Sequence, residues 1–346
     1  MEVFTAGVLL ALAAIPVAIL ALAVAASTWP FVAPAKPPLA DLVQDAADPD
    51  AERPRMHSLT QGLLAAWVAF GLALALTVVA SALGGSFPLN LPVLALAPWV
   101  GFGCALGVLS VWPLRPADHA PSSVGRRIQL VSALPPWLKL ALGFATSVLA
   151  GTLLATGLTG VVDPDTGEHM ALPVPSVMDW RTLGDQVIDV VYTDYGITVP
   201  WPGWSWGLPT LVGMGVCAAL LTAVAAQLTR SRGPLASALH DVDVATRRHV
   251  AAFVGLLAAA AVAASLCGTL LMVGIVLRQI SGVPTPAIDG VYSRQVLAYA
   301  EPLGTLSQVI SWLGWALGAS ALVIPWWAGM VIRELRRAER AARTVF

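Results

Sequence analysis

The sequence predicts an all-α, polytopic transmembrane helical bundle of about seven spans, with its N-terminus out and its C-terminus in. Three observations carry this. The 346 residues are 57% hydrophobic and only 11% charged, with a mean hydropathy of +0.77, whereas soluble domains carry roughly 25% charge. The apolar residues come in runs of about 20 or more, the length that crosses a ~30 Å hydrocarbon layer. The basic residues also segregate to alternate loops, sixteen of the 19 Lys and Arg falling on one side, and that side is the cytoplasm by the positive-inside rule.

The spans are read at about 3–25, 59–83, 91–114, 137–160, 207–228, 250–277 and 304–332, in one membrane domain over 1–346. The N-terminal run has no Lys or Arg in its first residues and is long for a signal peptide, so it is taken as a retained first span. Segment 30–58, with PAKPP and the acidic DLVQDAADPDAE, predicts a loop around one short helix. A lone helix and three hairpins result. Each hairpin leaves the cytoplasm, turns outside and returns. The outer turns are GGSFPLN at 84–90, a long segment at 161–206 and an intermediate one at 278–303. Tryptophans fit this frame. Trp29, Trp112, Trp137, Trp326 and Trp327 fall at cytoplasmic ends, and Trp201, Trp204 and Trp206 at an outer end, where an indole satisfies both its apolar body and its N–H.

Within segment 161–206, VVDPDTGEHM reads as an acidic turn. Its spacing fails as a calcium loop, because position 12 from Asp163 is Val174. SVMDWRTLGDQVIDVVY reads as a short amphipathic helix capped by Ser176, with Val177, Trp180, Leu183, Val187, Ile188 and Val191 at helical spacing. The stretch PWPGWSW then re-enters the bilayer.

GTLL occurs twice, at Gly151–Leu154 and Gly268–Leu271. After each copy similar residues follow in order. The first has Val174-Pro175-Ser176, Asp179 and Gln186-Val187, and the second has Val283-Pro284-Thr285, Asp289 and Gln295-Val296. This order predicts a parallel duplication of a helical hairpin. In lipid, small residues let backbones approach closely. The ladder Gly143, Ser147, Gly151, the pair Ala264, Gly268, and the GxxxG pairs Gly103/Gly107 and Gly314/Gly318 are therefore read as helix-packing positions. Pro16, Pro98 and Pro325 lie within spans and predict kinks. Cys104, Cys217 and Cys267 lie in apolar runs and predict neither a disulfide nor a metal site.

The central parts of the spans hold no Asp, Glu, Lys, Arg or His. Such groups mark proton relays and ion paths, so a proton-coupled pump is disfavoured. No HExxH, GxSxG or phosphate-binding loop is present, and no catalytic residue, cofactor or metal is assigned. His169 stands alone in the outer segment. Two candidate binding features remain. Trp180, Trp201, Trp204 and Trp206 would form an aromatic outer vestibule, with interfacial anchoring as the plainer alternative. Gln308 and Ser311, with Thr305 and Ser307, form a mild polar stripe in the last span, with interhelical hydrogen bonding as the plainer alternative. LHDVDVATRRHV at 239–250 and RELRRAERAAR at 333–343 extend their spans as basic helical ends, with Asp243 and Arg247 paired at i,i+4. These ends suit the lipid bilayer's anionic headgroups or membrane or cytoplasmic protein partners. Net charge is −1, which gives no case for nucleic acid.

The run PWPGWSWGLPTL, then a span, then TRSRGP, Asp243 and RRHV, resembles a pattern of actinobacterial multi-pass membrane proteins without an assigned activity, over about 195–255. The resemblance implies a bacterial plasma membrane and brings no catalytic residues with it. The leading expectation is a non-catalytic, permease-like or accessory subunit that handles a hydrophobic or amphiphilic compound with partner proteins. The alternative is a receptor or sensor with an extracytoplasmic ligand-binding cover.

Overall fold

The computed structural model describes residues 39–44, 49–83, 91–112, 134–163, 167, 169, 171–183, 186–229, 237–280, 283–284, 294–295 and 301–344. Among these the helices are α1 (Leu39–Gln44), α2 (Pro49–Leu83), α3 (Leu91–Val111), α4 (Pro136–Thr159), α5 (Trp204–Thr229), α6 (Ser237–Ile280) and α7 (Glu301–Thr344). All but α1 are long and apolar enough to cross a membrane. The chain is a multi-pass membrane protein built as an all-α bundle. The expected first span at 3–25, with Pro16, and the anchor Trp29 lie outside the described residues.

Contacts at the helix ends set the helix directions. The start of α2 meets the end of α7, as His57 and Glu339 do. The start of α6 meets the same end of α7 through His249 and Glu334, and the end of α3 returns to the start of α2 through Trp112 and Ser58. Successive helices therefore alternate in direction, as the hairpin reading requires. One end of the bundle carries the arginine-rich helix termini and is called here the basic end. The other carries the long segment between α4 and α5.

Helix α6 is the core. Its most apolar window is 78% buried, against 17% for those of α2, α4, α5 and α7. The cause is compositional. LAAAAVAAS is apolar all round, as a central helix must be, and its small side chains let α7 and the other neighbours close in. Helix α4 sits at the periphery. It packs on α5 and α6 through Leu138, Leu149, Leu153, Thr156 and Gly157, while Leu140, Phe144 and Leu158 stand exposed toward what is lipid in a membrane.

Helices α6 and α7 have 44 residues each, which at ~1.5 Å per residue exceeds the ~30 Å hydrocarbon layer about twofold. The excess lies chiefly at the basic end. There the polar flanks stay helical, as the Asp243–Arg247 pair at 2.7 Å attests. They do not end as free stalks. Leu39 and Val43 of α1, Met56, Val242, Leu335 and Ala338 are all buried in one continuous core. The short helix expected between 30 and 58 is thus α1, and it is docked against α6 and α7.

The expected amphipathic helix over 176–192 is not formed. Strands β1 (Ala171–Leu183) and β2 (Gln186–Pro200) pair antiparallel instead, with Leu183 opposite Gln186 and Ala171 opposite Pro200. The residue types explain the correction. Val187, Ile188, Val190, Val191, Tyr192, Thr193, Tyr195, Ile197, Thr198 and Val199 are β-branched or aromatic, and these favour an extended ribbon. The two residues between the strands read Gly-Asp, a hairpin signal. The register shifts between Val174 and Ser176, Val177 and Asp179, and Arg181 and Thr182. A second, minimal ribbon, β3 (Val283–Pro284) with β4 (Arg294–Gln295), lies between α6 and α7. Both outer segments of the supposed repeat thus hold an antiparallel ribbon. The registers differ, since Val283 faces Gln295 but Val174 faces Ile197.

The small-residue positions divide. Gly268 lies under the Trp206 ring, Gly314 under Leu271, Gly318 under Cys267 and Gly103 near Cys217. Ala264 is half-buried. By contrast, Gly143, Gly151 and Gly107 have no neighbour within 4 Å of a Cβ position, and Ser147 is exposed, with its hydroxyl donated to the Gly143 carbonyl. An i+4 ladder identifies one face of a helix but not what that face meets. The ladder on α4 faces away from α5 and α6, and Gly157, under the Trp204 ring, takes its place. All three cysteines are free thiols.

Candidate functional site

At the far end from the arginines, the predicted vestibule tryptophans are mostly consumed in holding helices together. The Trp201 indole N–H donates to both the Thr156 carbonyl and Thr159 Oγ1, each at 3.0 Å. Trp204 covers Gly157. The Trp206 N–H donates to Thr269 Oγ1 at 3.1 Å, and that hydroxyl in turn donates to the Ser265 carbonyl at 2.9 Å. One six-residue run, Trp201–Trp206, therefore pins the ends of two helices, α4 and α6. Trp201 and Trp206 are buried, which takes their faces away from any ligand. Trp180 is placed in β1 opposite Val190, apart from this cluster in sequence and in element.

His169 explains how the run is aimed. Its carbonyl accepts from the Ser205 N–H at 3.3 Å, and its Nδ1 faces the Trp204 N–H at 3.4 Å. These are orphan donors of the first turn of α5, which any helix must satisfy. Gly203 passes so close to the His169 carbonyl that no Cβ would fit. The turn before it is closed by Gly167, at φ +71°, whose N–H donates to the Asp163 carbonyl. A positive φ is what glycine tolerates and other residues resist. The isolated histidine is thus a helix cap.

The polar stripe on α7 is divided too. Ser307 is buried, and Ser311 presses against Gly274 of α6, whereas Gln308 is exposed. Ser311 serves helix packing, and Gln308 faces outward.

The basic end holds a different assembly, which the sequence reading did not single out. Glu334 and Glu339 project from α7 toward two histidines on two other helices. His249 of α6 is fully buried, with Nε2 2.9 Å from Glu334 Oε2 and Nδ1 2.8 Å from the Ala245 carbonyl. His57 of α2 has Nδ1 3.0 Å from Glu339 Oε1 and Nε2 3.4 Å from Gln61 Nε2. A carboxylate only accepts, so the ring nitrogen facing it carries the proton. Both pairs tie α7 to its neighbours where it leaves the apolar layer. The only signal in the sequence was spacing. The two glutamates interrupt an arginine-rich run, and each histidine lies at the polar start of a span.

Between α2 and α7 at this end lies a half-open cavity of about 500 Å³. Helix α2 supplies His57, Thr60, Gln61 and Leu64, and α7 supplies Arg336, Glu339 and Arg340. Its size falls in the roughly 300–1,000 Å³ range of small-molecule sites. The Glu339 side chain is 9% exposed and engaged by His57. Arg340 Nε donates to the Arg336 carbonyl at 3.3 Å. Thr60 spends its hydroxyl proton on the Met56 carbonyl at 2.7 Å. The donors left to the cavity are the two guanidinium groups and the Gln61 amide. Guanidinium and amide N–H groups are the donors that suit an anion. No family model, curated protein or solved structure matches the chain.

Proposed function

We propose that the protein is a non-catalytic, permease-like or accessory subunit of a membrane assembly, handling a hydrophobic or amphiphilic compound together with partner proteins. The observation that carries this is the build of the basic end. Helices α2, α6 and α7 run beyond their apolar stretches into a small packed core, tied by His57–Glu339 and His249–Glu334. That rigid end places Arg333, Arg336, Arg337 and Arg340 outward on one helix. A fixed array of guanidinium groups at a membrane surface suits an acidic face of a partner. By the basic-loop bias this end is cytoplasmic. The receptor reading draws less support, since Trp201 and Trp206 are occupied in helix contacts.

The test is extraction into nanodiscs from a native membrane, followed by mass spectrometry of what co-purifies. A stoichiometric partner is expected, and its capture should drop when Arg333 and Arg337 are both changed to Gln. A protein that purifies alone, at full yield and correctly folded, would overturn the accessory reading.

A further inference from the structure

We propose that the cavity between α2 and α7 binds a phosphate ester, with Arg336 and Arg340 as its anion clamp. The inference rests on the amphiphile reading above and names the chemistry of that compound's polar head. Four observations converge on it. Arg336 and Arg340 stand one turn apart on α7, so their guanidinium groups can close on the same anion. Among the described residues neither is ion-paired, and Glu339, the carboxylate between them, meets His57 at 3.0 Å. Guanidinium groups recognise phosphate oxygens with two parallel N–H donors. Gln61 adds an amide at the rim.

The fourth observation concerns what lies beyond the head. On α2 the lining runs His57, Gln61, Leu64 at helical spacing, and the same face continues into Val68 and Leu72, which are 42% and 59% exposed. A single helix face thus passes from polar to apolar without a break. A molecule lying along it would be anionic at one end and apolar at the other. Deeper in, Trp67 ties α2 to α7: its indole donates to the Pro325 carbonyl at 2.9 Å and its ring lies 3.9 Å from a Cβ position on Gly329. On α2 the cavity lining, His57 to Leu64, falls in the first turns of the apolar stretch that begins at Met56. A phosphodiester headgroup of the adjacent leaflet fits this placement, and a soluble phosphate monoester shares the same donors.

The experiment uses the full chain in nanodiscs of phosphatidylcholine with or without phosphatidylglycerol, and in neutral detergent with glycerol 3-phosphate. Lipid retention is read by native mass spectrometry and ligand response by the shift in unfolding midpoint. Three variants are compared. Arg336→Gln with Arg340→Gln removes the clamp, Gln61→Trp fills the cavity at unchanged charge, and Arg333→Gln with Arg337→Gln removes equal charge from positions that do not line it. Retention of phosphatidylglycerol is expected to fall roughly tenfold in the first two and to persist in the third. A response to phosphatidylglycerol alone assigns the phosphate to the lipid. A response to glycerol 3-phosphate without lipid assigns it to a soluble ester. The inference is overturned if the wild type responds to neither, or if the third variant loses as much as the first. Partner capture is measured on the same samples. A chain that binds phosphate but brings down no partner sinks the accessory reading and leaves the pocket standing, and the converse holds.

Discussion

GTLL on α4 and GTLL on α6 are the same four residues in opposite circumstances. On α4, Gly151 meets nothing within 4 Å, and the buried member of the four is Leu153. On α6, Gly268 lies under the Trp206 ring, and the buried member is Thr269. The two helices are therefore turned differently about their own axes. In both copies the threonine hydroxyl donates to the carbonyl four residues back, Val148 for Thr152 and Ser265 for Thr269. This is ordinary behaviour for threonine in a helix. Among the described residues, only on α6 do the remaining lone pairs find a donor, the Trp206 indole. The difference teaches that the tetrapeptide offers a contact and the arriving side chain decides whether it is made. The run PWPGWSW does the deciding, by sending Trp206 to α6 and Trp201 and Trp204 to α4 beyond its GTLL.

The strongest way to break the contrast is to remove what arrives. Trp206→Ala vacates the space over Gly268 and should destabilise the protein by about 3–5 kcal/mol, the range for truncating a buried aromatic. Reversible unfolding in mixed micelles measures it. A loss under about 1 kcal/mol would mean that Trp206 does not set the α5–α6 contact.

The glycines give a paired test. A methyl at Gly268 would sit 2.8 Å from Trp206 Cζ2, so Gly268→Ala must displace a packed ring and should cost about 1–3 kcal/mol. Gly151→Ala meets open space and removes a flexible residue from a helix, so it should be neutral or stabilise by up to about 1 kcal/mol. Opposite signs sharpen the comparison. Equal losses would show that the open face of α4 is covered in the membrane.

How much of this was legible in the sequence follows from the same physics. Long apolar runs and the arginine bias are properties of whole segments, and they yielded the described spans to within a few residues at most ends. The helical ends of α6 and α7 at 239–250 and 333–343 were legible too, the first through the Asp243–Arg247 spacing, whereas the start of α2 at 49–58 was read as loop because its polar residues carry no hydropathy signal. The ribbon over 171–200 was misread because Val177, Trp180, Leu183 and Val187 satisfy a helical period. The denser β-branched content and the Gly-Asp pair were the better signals there. Packing glycines were half legible: small residues announce a smooth face, and only a partner's position says which face is used. The spacing of the histidines and glutamates was visible but their pairing was not, because each pair joins residues 85 or 282 positions apart.

The polar half of the contrast can be cut more finely. Thr269→Val keeps the shape at residue 269 and removes the acceptor of a buried indole donor. An orphaned donor costs about 1–3 kcal/mol, since among the described residues Trp206 Nε1 has no second acceptor. Thr152→Val, on α4, should stay within about 0.5 kcal/mol, the range for a surface substitution away from special features.

A smaller effect than at Thr269 concerns Trp201. Its N–H is shared between Thr159 Oγ1 and the Thr156 carbonyl, both at 3.0 Å. Thr159→Val deletes one acceptor and leaves the other, which belongs to the backbone and cannot be removed by substitution. The indole is therefore never orphaned, and the cost should stay below about 1 kcal/mol, less than for Thr269→Val. Comparing the indole resonances of isotope-labelled protein in nanodiscs checks the cause directly. The Trp201 signal should move modestly in the Thr159 variant, as one partner of a shared bond is lost. The Trp206 signal should move far in the Thr269 variant, as its one acceptor among the described residues disappears. If the two variants cost the same, the shared bond gives no protection, and the two ends of the PWPGWSW run would be held by packing alone.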